Sequence, residues 1–322
     1  MPLDDGAARG PTEITHPGEP GEPGESMEPD DRVLPFAEAA DLRDVTPAGE
    51  GLEFSVYRAE SPAYGTVALR VPKETVYRNV NDPHVSAGAL LDQEWAILTH
   101  LADHDVPVPV AYRLLRIGGR TALLTGYVED DGTEPDPAGL GRAVARLHAV
   151  PPPPITPVAQ EGLPTSLLLG RRVTRRWGEA RKLVAGLPEL PGEDRLAGIA
   201  RGLDRFAPSL LHLDVRADNL RARAGRLLAF VDWSNALVGP AALDLYRVLE
   251  NEKPGDAFLA GYASVRPLPE LSEAEELLLR LDAAVMLALV FLSEAPDPGR
   301  ARDSVRRLTD LATLLNSRVP TL

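Results

Sequence analysis

The chain has 322 residues, no cysteine, 44% apolar residues, and 48 Asp and Glu against 34 Lys and Arg, for a net charge of −14. That length can bury one large or two smaller cores, and the lack of cysteine excludes disulfide frameworks, thiolate zinc sites and thiol nucleophiles. The anionic excess argues against a nucleic-acid surface, which needs clustered cations.

Residues 1–31 hold nine carboxylates, one Arg, six Pro and five Gly. With so little to bury, they predict a disordered acidic Pro/Gly-rich tail over residues 1–35. The tail carries −8 of the total, so the remainder is only mildly acidic at −6. Asp4 and Asp5 precede any apolar run, the wrong order for a secretory signal. The longest apolar stretch, Ala283 to Leu292, is flanked by Arg280, Asp282 and Glu294 and is too short to span a bilayer. A cytoplasmic protein without membrane contact is expected.

From Leu42 to Val71, first Phe54 and Val56, then Val67, Leu69 and Val71, alternate with other positions, the pattern of antiparallel strands. Leu90, Leu91, Ile97, Leu98 and Leu101 surround Glu94 at helical spacing over 86–104, and strands return at 110–116 and 120–128. Helical patterns follow at 140–150, 166–185, 194–206, 241–252, 272–294 and 300–315. Ser272 and Glu275 are spaced for a capping box, and Pro151 to Pro154 separate the first two helices. A strand-rich front half thus precedes a helical back half.

One segment departs from the helical pattern. Leu210-Leu211-His212-Leu213-Asp214-Val215-Arg216-Ala217-Asp218-Asn219-Leu220 reads as a loop, and Arg226 to Trp233 completes a short hairpin. It contains H-x-D-x-x-x-x-N, then Asp232 at the end of an apolar strand. Phosphoryl transfer needs a carboxylate to orient and deprotonate a hydroxyl, and oxygen ligands for magnesium. Asp214, Asn219 and Asp232 are hard oxygen donors of that kind.

On these residues the chain resembles the aminoglycoside phosphotransferase and choline kinase-like superfamily, over about residues 40–320. The resemblance implies an α+β, two-lobed protein-kinase-like fold. Residues 36–129 would form a small antiparallel-sheet N-lobe with one helix and a hinge, and residues 130–322 a larger, mainly helical C-lobe. It implies ATP and Mg2+, with Asp214 as catalytic base, Asn219 and Asp232 on the metal, and His212 bracing the loop. Asp244, in Gly239-Pro240-Ala241-Ala242-Leu243-Asp244-Leu245, is similar to the family's structural aspartate. The run Gly141 to Val150, with Leu147-His148-Ala149, resembles a recurrent helix. No D-F-G or A-P-E segment is present, which separates the chain from protein kinases.

For the nucleotide, Arg70 is the cation that falls on the third strand, with Lys73 beyond Pro72 as the alternative in a shifted register. An Arg offers a planar fork where a Lys offers a point charge. Glu94 is the acid expected to pair with Arg70, with Asp92 as its alternative. The turn from Pro47 to Ser55 occupies the nucleotide-covering position, where Ser55 either reaches a phosphate or is a plain strand residue. Leu124-Thr125-Gly126-Tyr127-Val128 occupies the hinge, where Tyr127 covers adenine or packs as core. Arg216 either stabilises the transferring phosphoryl group or is one of several solvated loop arginines.

The acceptor is expected to be a hydroxyl-bearing small molecule, with an antibiotic such as an aminoglycoside as the leading class. Peptide antibiotics, macrolides, sugars, choline and amino acids are alternatives, as is a non-catalytic ligand-binding protein. Residues 130–322 hold 26 acidic and 24 basic side chains, a balance that does not demand a polycation. Asp130, Asp131, Glu134 and Asp136, or Glu250 and Glu252, are the clusters that could face ammonium groups. Arg171, Arg172, Arg175, Arg176, Arg181 and Lys182 spread over more than one helical face and read as a solvated helix.

Overall fold

The computed structural model describes residues 31–81 and 84–318; nearly all of the acidic tail lies outside the described residues. The described chain opens with α1 (Leu34–Ala39), a short helix with Pro35 in its first turn. Strands β1 (Arg43–Glu50), β2 (Phe54–Ser61) and β3 (Gly65–Pro72) follow, then the two-residue strands β4 (Val76–Tyr77) and β5 (Val85–Ser86) and helix α2 (Ala87–Leu101). After β6 (Ala111–Ile117) and β7 (Arg120–Gly126) come α3 (Pro137–Ala149), α4 (Thr165–Leu183) and α5 (Glu193–Ala200). The functional segment contains β8 (Pro208–Leu211), β9 (Leu220–Arg223), β10 (Arg226–Phe230) and β11 (Leu237–Pro240). Helices α6 (Ala241–Asn251), α7 (Gly255–Ala263), α8 (Glu273–Leu289) and α9 (Pro298–Arg318) complete the chain.

The antiparallel sheet has the order β1-β2-β3-β7-β6. Directly opposed residues share a face. The register Val56↔Arg70 and Ala68↔Thr125 therefore puts Val56, Ala68, Arg70 and Thr125 on one side, and Tyr57↔Leu69 and Leu69↔Leu124 put the larger hydrophobes on the other. On that second face Val33 and Phe36, both at most 1% exposed, pack with Leu69 and Leu124. This corrects two expectations. Ordered packing begins at Val33 rather than after residue 35, and the sheet half contains α1 as well as α2. The spacing Val33–Phe36 places both side chains on one side of the short helix, which is what lets it cover the sheet.

Helix α2 starts where the Ser86 side chain accepts a hydrogen bond from the Ala89 backbone, a cap that contributes about 1 kcal/mol. Its Leu90, Leu91, Ile97, Leu98 and Leu101 share a core with Leu140, Val144 and Leu147 of α3 and with Phe230 and Trp233. That core joins the sheet half to the functional segment, while a second one lies among α4, α5, α8 and α9. The helix at α7 was not evident in the sequence, because Gly255, Gly261 and Ala residues dilute its periodicity. Gly261 has a packing reason, as does Gly141 of α3. A Cβ on Gly261 would overlap the Ala138 carbonyl, and one on Gly141 would overlap the Phe258 carbonyl and sit 2.8 Å from the Tyr262 nitrogen. Helices α3 and α7 therefore meet backbone against backbone.

The segment from Leu210 to Trp233 also differs from a plain loop and hairpin. Its first residues form β8, which pairs antiparallel with β11, Leu211 opposite Leu237, while β9 and β10 pair as the hairpin. Both ends of the segment are thereby anchored in strands. The Ser272–Glu275 capping box opens α8.

Candidate active site

Arg70, 8% exposed, reaches from β3 into the cleft between the two halves. Its Nη1 donates to Glu94 Oε2 at 2.7 Å, and its Nη2 to Asp232 Oδ1 at 2.6 Å and to Ser234 Oγ at 3.0 Å. The Phe54 ring lies 4.2 Å from the guanidinium carbon, a cation–π contact that steadies the fork. Burial pushes the Glu94 carboxyl up to about 7, against the pull of Arg70. Burial alone would lower the Arg70 pKa, but Asp232 and Glu94 together drive it above its ordinary value. The guanidinium thus stays charged between the two carboxylates. Burial works against the Asp232 charge as well, yet Arg70 and Ser234 hold this carboxyl down at about 2. Asp232 has φ +63°, in the left-handed region, a conformation that costs a non-glycine residue energy and clusters at functional sites.

Asp214 follows Leu213, which also has a left-handed φ of +60°. Asp244 fixes this turn. It is fully buried; its Oδ2 accepts from the His212 backbone at 2.7 Å and its Oδ1 from the Leu213 backbone at 3.0 Å. His148 Nε2 lies 3.2 Å from Oδ2, and its Nδ1 meets the Tyr262 hydroxyl at 3.0 Å. Burial opposes the Asp244 charge, and the hydrogen bond and charge of His148 outweigh it, so the carboxyl sits below its ordinary value. His212, fully buried, accepts from the Asp214 backbone on Nδ1 at 3.2 Å, which leaves Nε2 to donate to the Val231 carbonyl at 3.1 Å. Both ring nitrogens are used by the backbone, an arrangement suited to bracing the turn.

Asn219 Nδ2 donates to the Asp214 carbonyl at 3.0 Å and to Asp214 Oδ2 at 2.7 Å. That leaves the amide oxygen available to a cation, and the Val231 backbone, one residue before Asp232, donates to the Asn219 carbonyl at 3.0 Å. Among the described residues no group of three or more His, Asp or Glu forms a self-sufficient metal cage. A carboxylate and an amide oxygen nonetheless fit Mg2+, which takes one or two protein carboxylates and fills its remaining positions with water and phosphate oxygens. Arg216 lies beside Asp214, with Nε 3.3 Å from Asp214 Oδ1 and Nη1 2.5 Å from Asp218.

The other sequence candidates divide. Lys73 pairs with Glu50 of β1 at 2.6 Å, and Asp92 with Arg116 at 2.5 Å, so neither alternative takes part in the Arg70–Glu94 pair. Thr125 lies on the Arg70 face of the sheet, opposite Ala68. Ser55 is opposite Val71, on the face away from Arg70. Of the two readings of Ser55 this favours the plain strand residue, since a strand's alternation turns it out of the cleft. The Tyr127 backbone bonds to the Thr66 carbonyl, and its ring lies 5.7 Å from the Arg58 guanidinium carbon, beside an open cavity at the edge of the cleft. Two contributors had no motif to announce them. Ser234 bonds Arg70, and its backbone donates to Asp232 at 3.3 Å. Gln93 of α2 donates to the Trp233 carbonyl and accepts from the Val158 backbone, both at 2.7 Å. Only its place one residue before Glu94 could have pointed to it.

Residues 44–277 match the family model described as the phosphotransferase enzyme family. The chain belongs to that family. As such it is an enzyme of the small-molecule kinase type, and solved structures confirm the protein-kinase-like fold. A streptomycin–ATP ternary complex of APH(2'')-IIa is 14% identical with a TM-score of 0.54, covering 83% of this chain and 92% of its own. A type I macrolide 2'-phosphotransferase is 16% identical at 0.53, covering 86% and 95%. A microcompartment-associated aminopropanol kinase is 17% identical at 0.55, covering 90% and 98%. No curated protein matches by sequence. No helix among the described residues is long and apolar enough to cross a membrane.

Proposed function

We propose that the protein transfers the γ-phosphoryl group of ATP to a hydroxyl of a small molecule. The observation that carries this reading is the convergence of Arg70 and Glu94 from one side of the cleft with Asp232 from the other, in the segment that also holds the bonded pair Asp214 and Asn219. Arg70 is suited to hold the nucleotide phosphates, kept in place by Glu94, while half-exposed Val56 and Ala68 with Thr125 offer the base a small apolar face. Asp214 accepts the acceptor's proton as its oxygen bonds to the γ-phosphorus and the bond to the β-phosphate oxygen breaks, releasing ADP. Asn219 and Asp232 would hold Mg2+, which neutralises charge on the phosphates when bound. Arg216 stands close enough to Asp214 to face the transferring group.

The substrate class calls for a different weighing. A membrane role and nucleic-acid binding have no support in the composition. The carboxylates offered to a polycation are mostly engaged. Asp130 pairs with Arg221, Asp131 binds Thr133 and the Ala224 backbone, and Asp136 caps α3. Glu250 is buried and gripped by Arg307 and Arg280. Glu252 remains near Asp214, its carboxyl pushed up by burial. An aminoglycoside acceptor therefore rests on kinship more than on this cleft.

The test is ADP release from Mg-ATP across a panel of hydroxyl compounds. The general base contributes about 10²–10⁴-fold, so Asp214→Ala should lose at least about a hundredfold in kcat while still binding Mg-ATP. Wild-type rates in that variant would remove the mechanism.

A further inference from the structure

Helix α4 corrects the expectation of a merely solvated basic helix. Arg172 and Arg176 are 6% and 4% exposed. With Arg171 and Arg175 they form two adjacent i,i+4 rows that line one side of a narrow cleft, and Arg247 of α6 lines it too. The same cleft is bounded by Leu213, next to Asp214, and by Asn235, three residues beyond Asp232.

Four of these arginines are held. Fully buried Asp282 takes Arg172 through two bonds, at 2.8 and 2.6 Å, and Arg176 at 3.7 Å. Glu161 takes Arg171 at 3.6 Å and Arg175 at 3.7 Å, with Glu193 4.0 Å from Arg171. Arg247, by contrast, makes no hydrogen bond or ion pair among the described residues. It is 5% exposed, its Nε has no partner, and Asp282, Asp214 and Asp244 act on it only through space. Burial lowers its pKa from the ordinary value. A buried guanidinium without a counter-ion is costly to maintain. Its planar fork is also the group best matched to a carboxylate or phosphate, which it binds through two parallel hydrogen bonds.

We infer that this arginine cleft receives an anionic group of the acceptor, a carboxylate or a phosphate, so that the substrate is a hydroxyl compound carrying a negative charge a few bonds from the hydroxyl presented to Asp214. The position of the hydroxyl rests on the proposed function; the anion site does not.

Calorimetric titration of the full chain with inorganic phosphate, at fixed ionic strength and with saturating Mg-ADP on the nucleotide side, tests the site alone. One saturable site is expected, weakened at least tenfold in Arg247→Gln, partly restored in Arg247→Lys and retained in Arg70→Gln. Should Arg247→Gln fail to fold, Arg171→Gln at the exposed rim must weaken phosphate several-fold. Absence of saturable binding, or binding indifferent to these cleft variants, overturns the inference. Turnover then separates the two anions. Hydroxycarboxylates are compared with their carboxamides, and phosphate monoesters with their parent alcohols. Neutralising the charge should lower kcat/KM at least a hundredfold in one series. An efficient cationic or neutral acceptor whose turnover ignores Arg247→Gln would also overturn the inference, while leaving the phosphotransferase reading intact. Full turnover by Asp214→Ala with phosphate still bound at Arg247 would do the reverse.

Discussion

Replacing Asp244 with Asn tests how the catalytic turn is held. The carboxylate accepts from two consecutive backbone N–H groups, one on each oxygen, and from His148, with no exposure to solvent. Asn has a single acceptor oxygen, so its NH2 group must face one of the two N–H donors. A buried donor left without a partner costs about 1–3 kcal/mol, and the surviving bonds lose the strengthening that a charged acceptor gives. The total should be about 3 kcal/mol, rising to about 3–5 kcal/mol in Asp244→Ala, where His148 also loses its partner. For a chain of 322 residues that lowers Tm by roughly 5 °C. Urea denaturation followed by tryptophan fluorescence is a suitable assay, because buried Trp233 lies 4.5 Å from the His212 ring. The left-handed Leu213 would be freed at the same time, so kcat should fall at least tenfold with Mg-ATP affinity unchanged. A variant within about 1 kcal/mol of wild type and equally active would refute this account of the turn.

Two further substitutions probe the packing beneath the site. Gly141→Ala should destabilise by about 3 kcal/mol, at the upper end for overpacking, because the obstructing atoms are backbone; a neutral result in the same denaturation assay would show that α3 and α7 can separate freely. Asp282→Asn should cost about 3 kcal/mol at neutral pH by taking from buried Arg172 the carboxylate that holds it through two bonds. Burial raises the Asp282 pKa, but Arg172 and Arg176 pull it below the ordinary value. Its contribution is therefore complete above the unfolded pKa of about 4 and lost as pH falls through the lower folded value. The gap between wild type and variant should close below about pH 4, and a gap that widens in acid would reverse the sign of the argument.

The strands and long helices were legible because their apolar periods are regular, as in Leu90 to Leu101. The catalytic segment was legible because its chemistry demands particular oxygen donors at a fixed spacing. Sequence also placed Arg70 and Glu94 within reach of each other, since a third-strand cation and an acid among the apolar positions of the next helix have few other places to go. It was silent on Gln93 and Ser234, which bond to residues 140 and 164 positions away, and on Arg247, which stands out only through the residues that line its cleft. It misjudged α4 because Arg172 and Arg176 look like surface residues until Asp282 is brought beneath them by α8. It left Ser55 open between a phosphate contact and a plain strand residue, because strand register alone decides which way that side chain turns.

The two prongs of Arg70 are anchored in different halves of the molecule. Nη1 grips Glu94, which rides with the sheet, and Nη2 grips Asp232, which rides with the helices. Gln93, one residue before Glu94, also donates to the Trp233 carbonyl, one residue after Asp232. A single buried guanidinium and its neighbouring amide thus stitch the sheet, helix α2 and the end of β10 together, so a change at any one of these residues is felt on both sides of the cleft.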